Sequence, residues 1–188
     1  KTGGLFGSGE NTGSIGVATI NLPRLGFVSK DRDEFFRRLK ILMDMAQNSL
    51  EIKRKVVTRY MEYGLLPYTK RYLENLDHHF STIGLIGMNE CCLNFLKKDM
   101  LDDEGRDFAI EILDFMRSRL KQYQEDSGHI YNLEATPGEG TSYRLARIDK
   151  MKYPNIITAG TEEPYYTNSS QLPVNATDDI FEALDSQE

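Results

Sequence analysis

Residues 134–142 (EATPGEGTS) bring a strand end, a Pro/Gly loop and a helix start at Thr141 or Ser142 into one short stretch. A helix start leaves backbone N–H groups without partners and gathers the positive end of the helix dipole. The hydroxyls of Thr136, Thr141 and Ser142 add donors, and the whole set suits a phosphate. The same pattern also describes an ordinary capped helix after a turn. Arg144 and Arg147 either add positive charge there or solvate the helix.

A second stretch, residues 84–92 (GLIGMNECC), ends a strand in glycines, which permit close approach of a ligand or another backbone. Asn89, Glu90, Cys91 and Cys92 then set an amide, a carboxylate and thiols at one mouth. Such a group could serve redox or radical chemistry. Adjacent helical residues point about 100° apart, so Cys91 and Cys92 cannot both face one pocket. A free cysteine is usually a packed small hydrophobe, and reactivity needs an electropositive setting. Residues 7–13 (GSGENTG) look superficially like a nucleotide loop but lack the Gly-Lys-Ser/Thr ending, so a flexible loop describes them better. His78 and His79 have no further ligand at zinc spacing and read as a solvated turn; no residue is assigned to a metal. Tyr165, Tyr166, Asn168, Ser169 and Ser170 form a polar aromatic loop that either binds a ligand or packs.

The elements that must position these groups follow from pattern. Residues 14–21 (SIGVATIN) and 81–87 (STIGLIG) read as buried strands, the first ended by Pro23. Asp31 and Glu34 form a capping box opening a helix to about Met61, with a shorter helix over residues 68–76. Asn89 is a candidate cap for a helix over 89–98. Asp102 or Asp103 starts a helix with Phe108, Ile112, Met116, Leu120 and Tyr123 as its stripe and Gly128 as its cap. Residues 130–134 are a third strand, 141–149 a short helix, 155–159 and 165–168 a fourth and fifth strand, and Asp178 or Asp179 opens a last helix. Strands alternating with helices predict an α/β fold with strands buried on both faces. Sites in such folds gather where strands end and loops begin.

Composition bounds the function. The chain has 188 residues, 23 Lys+Arg against 29 Asp+Glu, and a net charge of −6. That is ordinary globular composition for one domain, and its acidity argues against broad nucleic-acid binding. No apolar run is long enough for a membrane span, and residues 1–10 lack a signal-peptide core. Two adjacent cysteines make no disulfide framework, so a reducing, cytoplasmic setting is the default expectation.

Four stretches together carry a resemblance: residues 4–24 (GLFGSGENTGSIGVATINLPR), 79–96 (HFSTIGLIGMNECCLNFL), 131–150 (YNLEATPGEGTSYRLARIDK) and 163–185 (EPYYTNSSQLPVNATDDIFEALD). In this order they resemble the middle-to-late catalytic region of anaerobic (class III) ribonucleoside-triphosphate reductases, the glycyl-radical ribonucleotide reductases. The resemblance implies that residues 1–188 form part of a ten-stranded α/β barrel, a partial catalytic domain. It implies reduction of ribonucleoside triphosphates to deoxyribonucleotides. In that family a glycyl radical, installed by a separate iron–sulfur, S-adenosylmethionine-dependent activase, passes to a cysteine on an inner finger loop. The thiyl radical then abstracts the substrate's 3′ hydrogen, and water is lost from the 2′ carbon.

Carried onto this sequence, Thr136, Pro137, Gly138, Glu139, Gly140, Thr141 and Ser142 resemble the loop that holds substrate phosphates. Ser14 stands where some members have a substrate-contacting Asn, which points to a different subgroup. Glu90, in the family's Gly-x-x-Gly-x-x-Glu element, is the expected carboxylate near the ribose, with Asn89 beside it. The radical cysteine is expected upstream of Lys1, so neither Cys91 nor Cys92 is assigned that role. The regulatory nucleotide domain, the zinc site and the glycyl-radical loop are likewise expected elsewhere in a longer, homodimeric enzyme. The chain is then expected to be a fragment that binds no cofactor directly and is inactive alone. Two alternatives remain at this stage: a glycyl-radical enzyme of the pyruvate formate-lyase type, and an inactive scaffold associating through the helix over 31–61.

Overall fold

Three parallel strands in the order β1-β2-β3 carry the frame of the computed structural model, which describes residues 12–135, 137–173, 176–179, 181 and 184. In chain order the elements are β1 (Gly13–Asn21), α1 (Leu22–Val28), α2 (Arg32–Glu62), α3 (Pro67–Leu73), β2 (His79–Ile86), α4 (Met88–Phe95), α5 (Asp103–Ser127), β3 (Tyr131–Glu134) and α6 (Glu139–Lys152). β1 pairs with β2 from Gly13↔His79 to Asn21↔Ile86, with a register shift between Ser14 and Gly16. β2 pairs with β3 from Ser81↔Tyr131 to Gly84↔Glu134. Parallel neighbours need crossovers, and the helices supply them. The α/β class and its parallel sheet therefore stand, but three strands do not amount to a closed ten-stranded barrel.

The two long helices form as their sequences dictate. The Asp31 carboxylate accepts the Glu34 amide at 2.8 Å, while Glu34 reaches back to the Lys30 amide at 3.0 Å. Asp102 caps α5 through the Glu104 amide at 3.0 Å, and Gly128 closes it in the left-handed region. Phe35, Leu39, Met43 and Leu50 of α2 and Phe108, Ile112, Met116 and Leu120 of α5 bury one apolar stripe each. They meet Ile20, Ile83, Leu85 and Tyr131 on a single face of the sheet. Burying each such side chain is worth about 1.5–3 kcal/mol.

The central strand β2 is buried on both faces, with Thr82 and Ile86 of the opposite face covered as fully as Ile83 and Leu85, whereas the edge strand β1 is exposed on that opposite face. Val17 there is 47% exposed. Ser14 Oγ lies 3.2 Å from Thr82 Oγ1, which donates to Asn132 Oδ1 at 2.8 Å, so a polar ladder crosses all three strands.

The strand ends at Asn21 ahead of Pro23, as read, and a helix unforeseen in the sequence follows: Pro23 lies in the first turn of α1, where a missing N–H costs nothing, and Asn21 caps that helix through the Arg24 amide. Other expectations are corrected. α4 starts at Met88 behind a left-handed Gly87, not at an Asn89 cap. α6 starts at Glu139, ahead of Thr141. Residues 155–159 and 165–168 are not strands but make only the isolated bridges Ala159↔Tyr165 and Ile86↔Asn168. The reason is competition for the backbone. Asn94 takes both the N–H and the C=O of Ile157, at 2.9 Å each. Ser142 does the same to Tyr166. The expected last helix lies largely outside the described residues, as do residues 7–11 of the glycine stretch.

Candidate functional site

α6 turns one narrow face inward: Ser142, Ala146 and Asp149 are all buried, at the i, i+4, i+7 positions of a helical stripe. All three lie against Tyr166, itself 1% exposed. Ser142 Oγ accepts the Tyr166 N–H at 3.0 Å and donates to the Tyr166 carbonyl. Asp149 Oδ2 accepts the Tyr166 hydroxyl at 2.8 Å and the Asn21 amide at 2.9 Å. Asp149 Oδ1 accepts Arg24 Nε at 2.5 Å and also pairs with Arg24 Nη2. Burial, and then the Asp149 carboxylate, push the Tyr166 phenol well above its usual range.

The first intrahelical bond of α6 is Ser142 N–H to Gly138 C=O, at 2.6 Å. The amides of Glu139, Gly140 and Thr141 precede it, and Gly138 brings no capping side chain. Beside this end lies a cavity of about 280 Å³ lined by Glu139, Ser142, Tyr165, Tyr166, Thr167 and Asn168, among others. A Cβ at Gly140 would meet nothing within 4 Å, so the space beside the helix start is open. A Cβ at Gly138 would lie 3.3 Å from Ile86 Cδ1, which seats the loop on the end of β2.

Residues 165–169 run as a strap from α6 to the start of α4. Gly87 N–H donates to Thr167 C=O at 2.9 Å and Met88 N–H to Ser169 C=O at 3.0 Å. Glu90 Oε2 accepts both the N–H and the hydroxyl of Thr167, at 2.9 and 2.8 Å. Glu90 Oε1 is buried without a hydrogen-bond partner among the described residues. Burial raises the Glu90 carboxyl above its ordinary value, against the opposing pull of the Thr167 bonds.

The structure therefore joins two of the sequence-predicted centres. Ser142 grips Tyr166 and Glu90 grips the adjacent Thr167, so the start of α6 and the Glu90 corner share one strap. Pro137, Gly138, Glu139, Gly140 and Thr141 lie at that helix start, and Thr136 is outside the described residues. Asn89 accepts the Met100 amide at 3.2 Å, and its side chain stays close enough to Glu90 to pull that carboxyl down. Ser14 is also apart. It pairs with Phe80, about 20 Å down the strand from Ile86 at 3.3 Å per residue.

Cys91 and Cys92 are both fully buried, and burial pushes both thiols up, that of Cys92 to about 12. Neither is a nucleophile in this setting. Among the described residues no His, Cys, Asp or Glu cluster could hold a metal ion. None of their helices is long and apolar enough to cross a membrane. Sequence reasoning missed Asp149, Arg24 and Asn21. The helix pattern pointed the other way, since Ile148 and Met151 of α6 are exposed while Ser142 and Asp149 are buried.

A family model described as anaerobic ribonucleoside-triphosphate reductase matches residues 2–188. The anaerobic ribonucleoside-triphosphate reductase of Haemophilus influenzae is 30% identical over 194 residues, covering 94% of this chain and 27% of that protein. The one from Enterobacteria phage T4 is 28% identical, covering 98% of this chain and 32% of that protein. The anaerobic ribonucleotide reductase from Thermotoga maritima, solved with citrate in the active site, aligns with a TM-score of 0.80 at 26% identity, over 95% of this chain and 33% of that one. The same enzyme in complex with dATP and CTP aligns at 0.81 and 26% identity, over 96% and 30%. The chain thus spans 27 to 32% of the length of these two curated relatives. These likenesses favour the reductase reading over the pyruvate formate-lyase type and over a scaffold.

Proposed function

This chain belongs to the anaerobic ribonucleoside-triphosphate reductase family, and from that premise we propose that it supplies part of a catalytic barrel in which the start of α6 holds the anionic tail of a ribonucleoside triphosphate. The observation that carries the reading is the run of amides at Glu139, Gly140 and Thr141, ahead of the first α6 bond, at a helix start where Glu139 and Ser142 line the 280 Å³ cavity. A helix N-terminus offers directed N–H donors and the positive end of the dipole, and bonds to an anionic oxygen are roughly twice as strong as neutral ones.

Within this scheme Glu90 acts through Thr167. Its Oε2 fixes the strap that walls the cavity, and its buried Oε1, without a hydrogen-bond partner among the described residues, is the oxygen left for chemistry at the ribose. The Thr141 hydroxyl adds a donor beside the amides, whereas Ser142 is committed to Tyr166. Glu139 carries the same sign as a triphosphate and must swing outward as the substrate enters. In the full-length protein a glycyl radical, made by a separate S-adenosylmethionine-dependent activase, would supply the initiating oxidation, and a structural zinc would lie elsewhere. Neither is given a residue here, and the buried Cys91 and Cys92 serve packing. A homodimer in a reducing, cytoplasmic compartment completes the reading.

Hydrogen exchange of the full-length protein with and without a ribonucleoside triphosphate tests it. The amides of residues 139–141 should slow on addition of the triphosphate and not of the bare nucleoside. Binding that protects other segments and leaves these amides unchanged would overturn the proposal.

A further inference from the structure

α6 is held in an unusual way. It makes few close approaches to any other helix or strand. Its buried attachments are Ser142, Ala146 and Asp149, and every one of them meets Tyr166. The backbone of Tyr166 is clasped by Ser142 at the first turn of α6. The ring then runs along the helix past Ala146, packing also on Ile86 of β2, and its hydroxyl reaches Asp149 two turns on. Asp149 is in turn fixed to the β1–α1 junction by Asn21 and Arg24.

From this arrangement the geometry points to Tyr166 as a positioning residue that sets where the α6 amides stand beside the cavity, with Asp149 as its anchor. The inference rests on the proposed triphosphate site. A helix gripped at one point can pivot or slide; gripped at two points, two turns apart, by one stiff side chain, it cannot. Misplacing binding groups by about 1 Å can cost on the order of a hundredfold in a reaction that depends on their orientation. Donors held by a packed, hydrogen-bonded support avoid that loss. The Asp149 charge does not serve the substrate directly, because it is fully buried and matched by Arg24.

The test uses the full-length protein with inorganic tripolyphosphate, a ribonucleoside triphosphate and the bare nucleoside as probes. Tyr166→Phe keeps the ring against Ile86 and Ala146 and removes only the hydroxyl. Affinity for tripolyphosphate and for the nucleotide should fall together, about three- to tenfold, with KM rising by the same factor and nucleoside binding unmoved. Asp149→Asn keeps one oxygen but sets an NH2 donor against either Arg24 or the phenol and Asn21, so its phosphate affinity should fall as in Tyr166→Phe. Asp149→Ala should lower both that affinity and the melting temperature. Unchanged tripolyphosphate affinity in Tyr166→Phe, with only a lower melting temperature, would overturn the inference while leaving the site itself intact. Tighter tripolyphosphate binding in Asp149→Asn would overturn it too, since that marks a charge effect. Wild-type protein that ignores tripolyphosphate would instead sink the underlying site.

Discussion

Gly87 is the joint between β2 and α4, and replacing it by alanine perturbs the site corner in a calculable way. Its φ is +71°, and a Cβ there would stand 2.3 Å from Pro23 Cγ and 2.8 Å from Pro23 Cδ. Holding a non-glycine residue in the left-handed region costs about 1–2 kcal/mol. Overlap with a proline ring is a separate cost, because the ring is stiff, buried and built into α1. Forced shifts of that kind cost about 1–3 kcal/mol. Gly87→Ala should therefore lose about 2–5 kcal/mol from the two effects combined. Gly128 is the matched control. Its φ is +73° and an added Cβ would meet nothing within 4 Å. Gly128→Ala should then cost only the backbone share, about 1–2 kcal/mol. Urea unfolding followed by circular dichroism, with the slopes compared, gives both values. Gly87→Ala should be the worse by at least about 1 kcal/mol. Equal losses would refute the claim that contact between α1 and α4 sets this joint. Because the Gly87 amide also holds Thr167, the same variant should loosen the strap and weaken triphosphate binding.

Ser142→Ala strips both partners from the buried Tyr166 backbone and should cost about 1–3 kcal/mol in chemical denaturation; a neutral result would mean that the clasp is replaceable. Glu139→Gln removes a carboxylate of the same sign as the substrate tail, so equilibrium dialysis should show two- to fivefold tighter triphosphate binding, about 0.4–1 kcal/mol, and weaker binding would place that side chain on the substrate. For Asp44, burial pushes the carboxyl up, but bonds from Lys40, Tyr123 and Arg119 outweigh it and bring it from 3.8 to about 2. A depressed carboxyl stabilises above its unfolded value and loses that contribution as pH falls toward 2. Acid titration of stability should therefore steepen below pH 4, by about 1 kcal/mol after solvent screening, and Asp44→Asn should flatten that limb. Cys91 and Cys92, both fully buried, should resist thiol reagents in the native protein and react only on unfolding; rapid labelling of folded protein would contradict their packing role.

What could be read in the residues was local or periodic. Asp31 with Glu34, and Asp102 with Gly128, mark helix ends because caps satisfy neighbouring backbone groups. The stripes of α2 and α5 and the three strands follow from spacing alone, and so does a helix start after Pro137. The four family stretches were legible for the same reason: each is a run of consecutive residues. The tertiary structure alone decided the rest. Residues 155–159 and 165–168 are apolar enough for strands, yet Asn94 and Ser142, distant in sequence, take their backbone groups. Glu90, Asn89 and Ser14 are alike polar and near strand ends or starts, and only packing sends Glu90 to Thr167, Asn89 to Met100 and Ser14 to Thr82. Asp149 meets Asn21 and Arg24 across more than a hundred residues of chain. Spacing along a helix states which side chains share a face; it carries no information about what that face will touch, because that partner is chosen by the whole chain's burial.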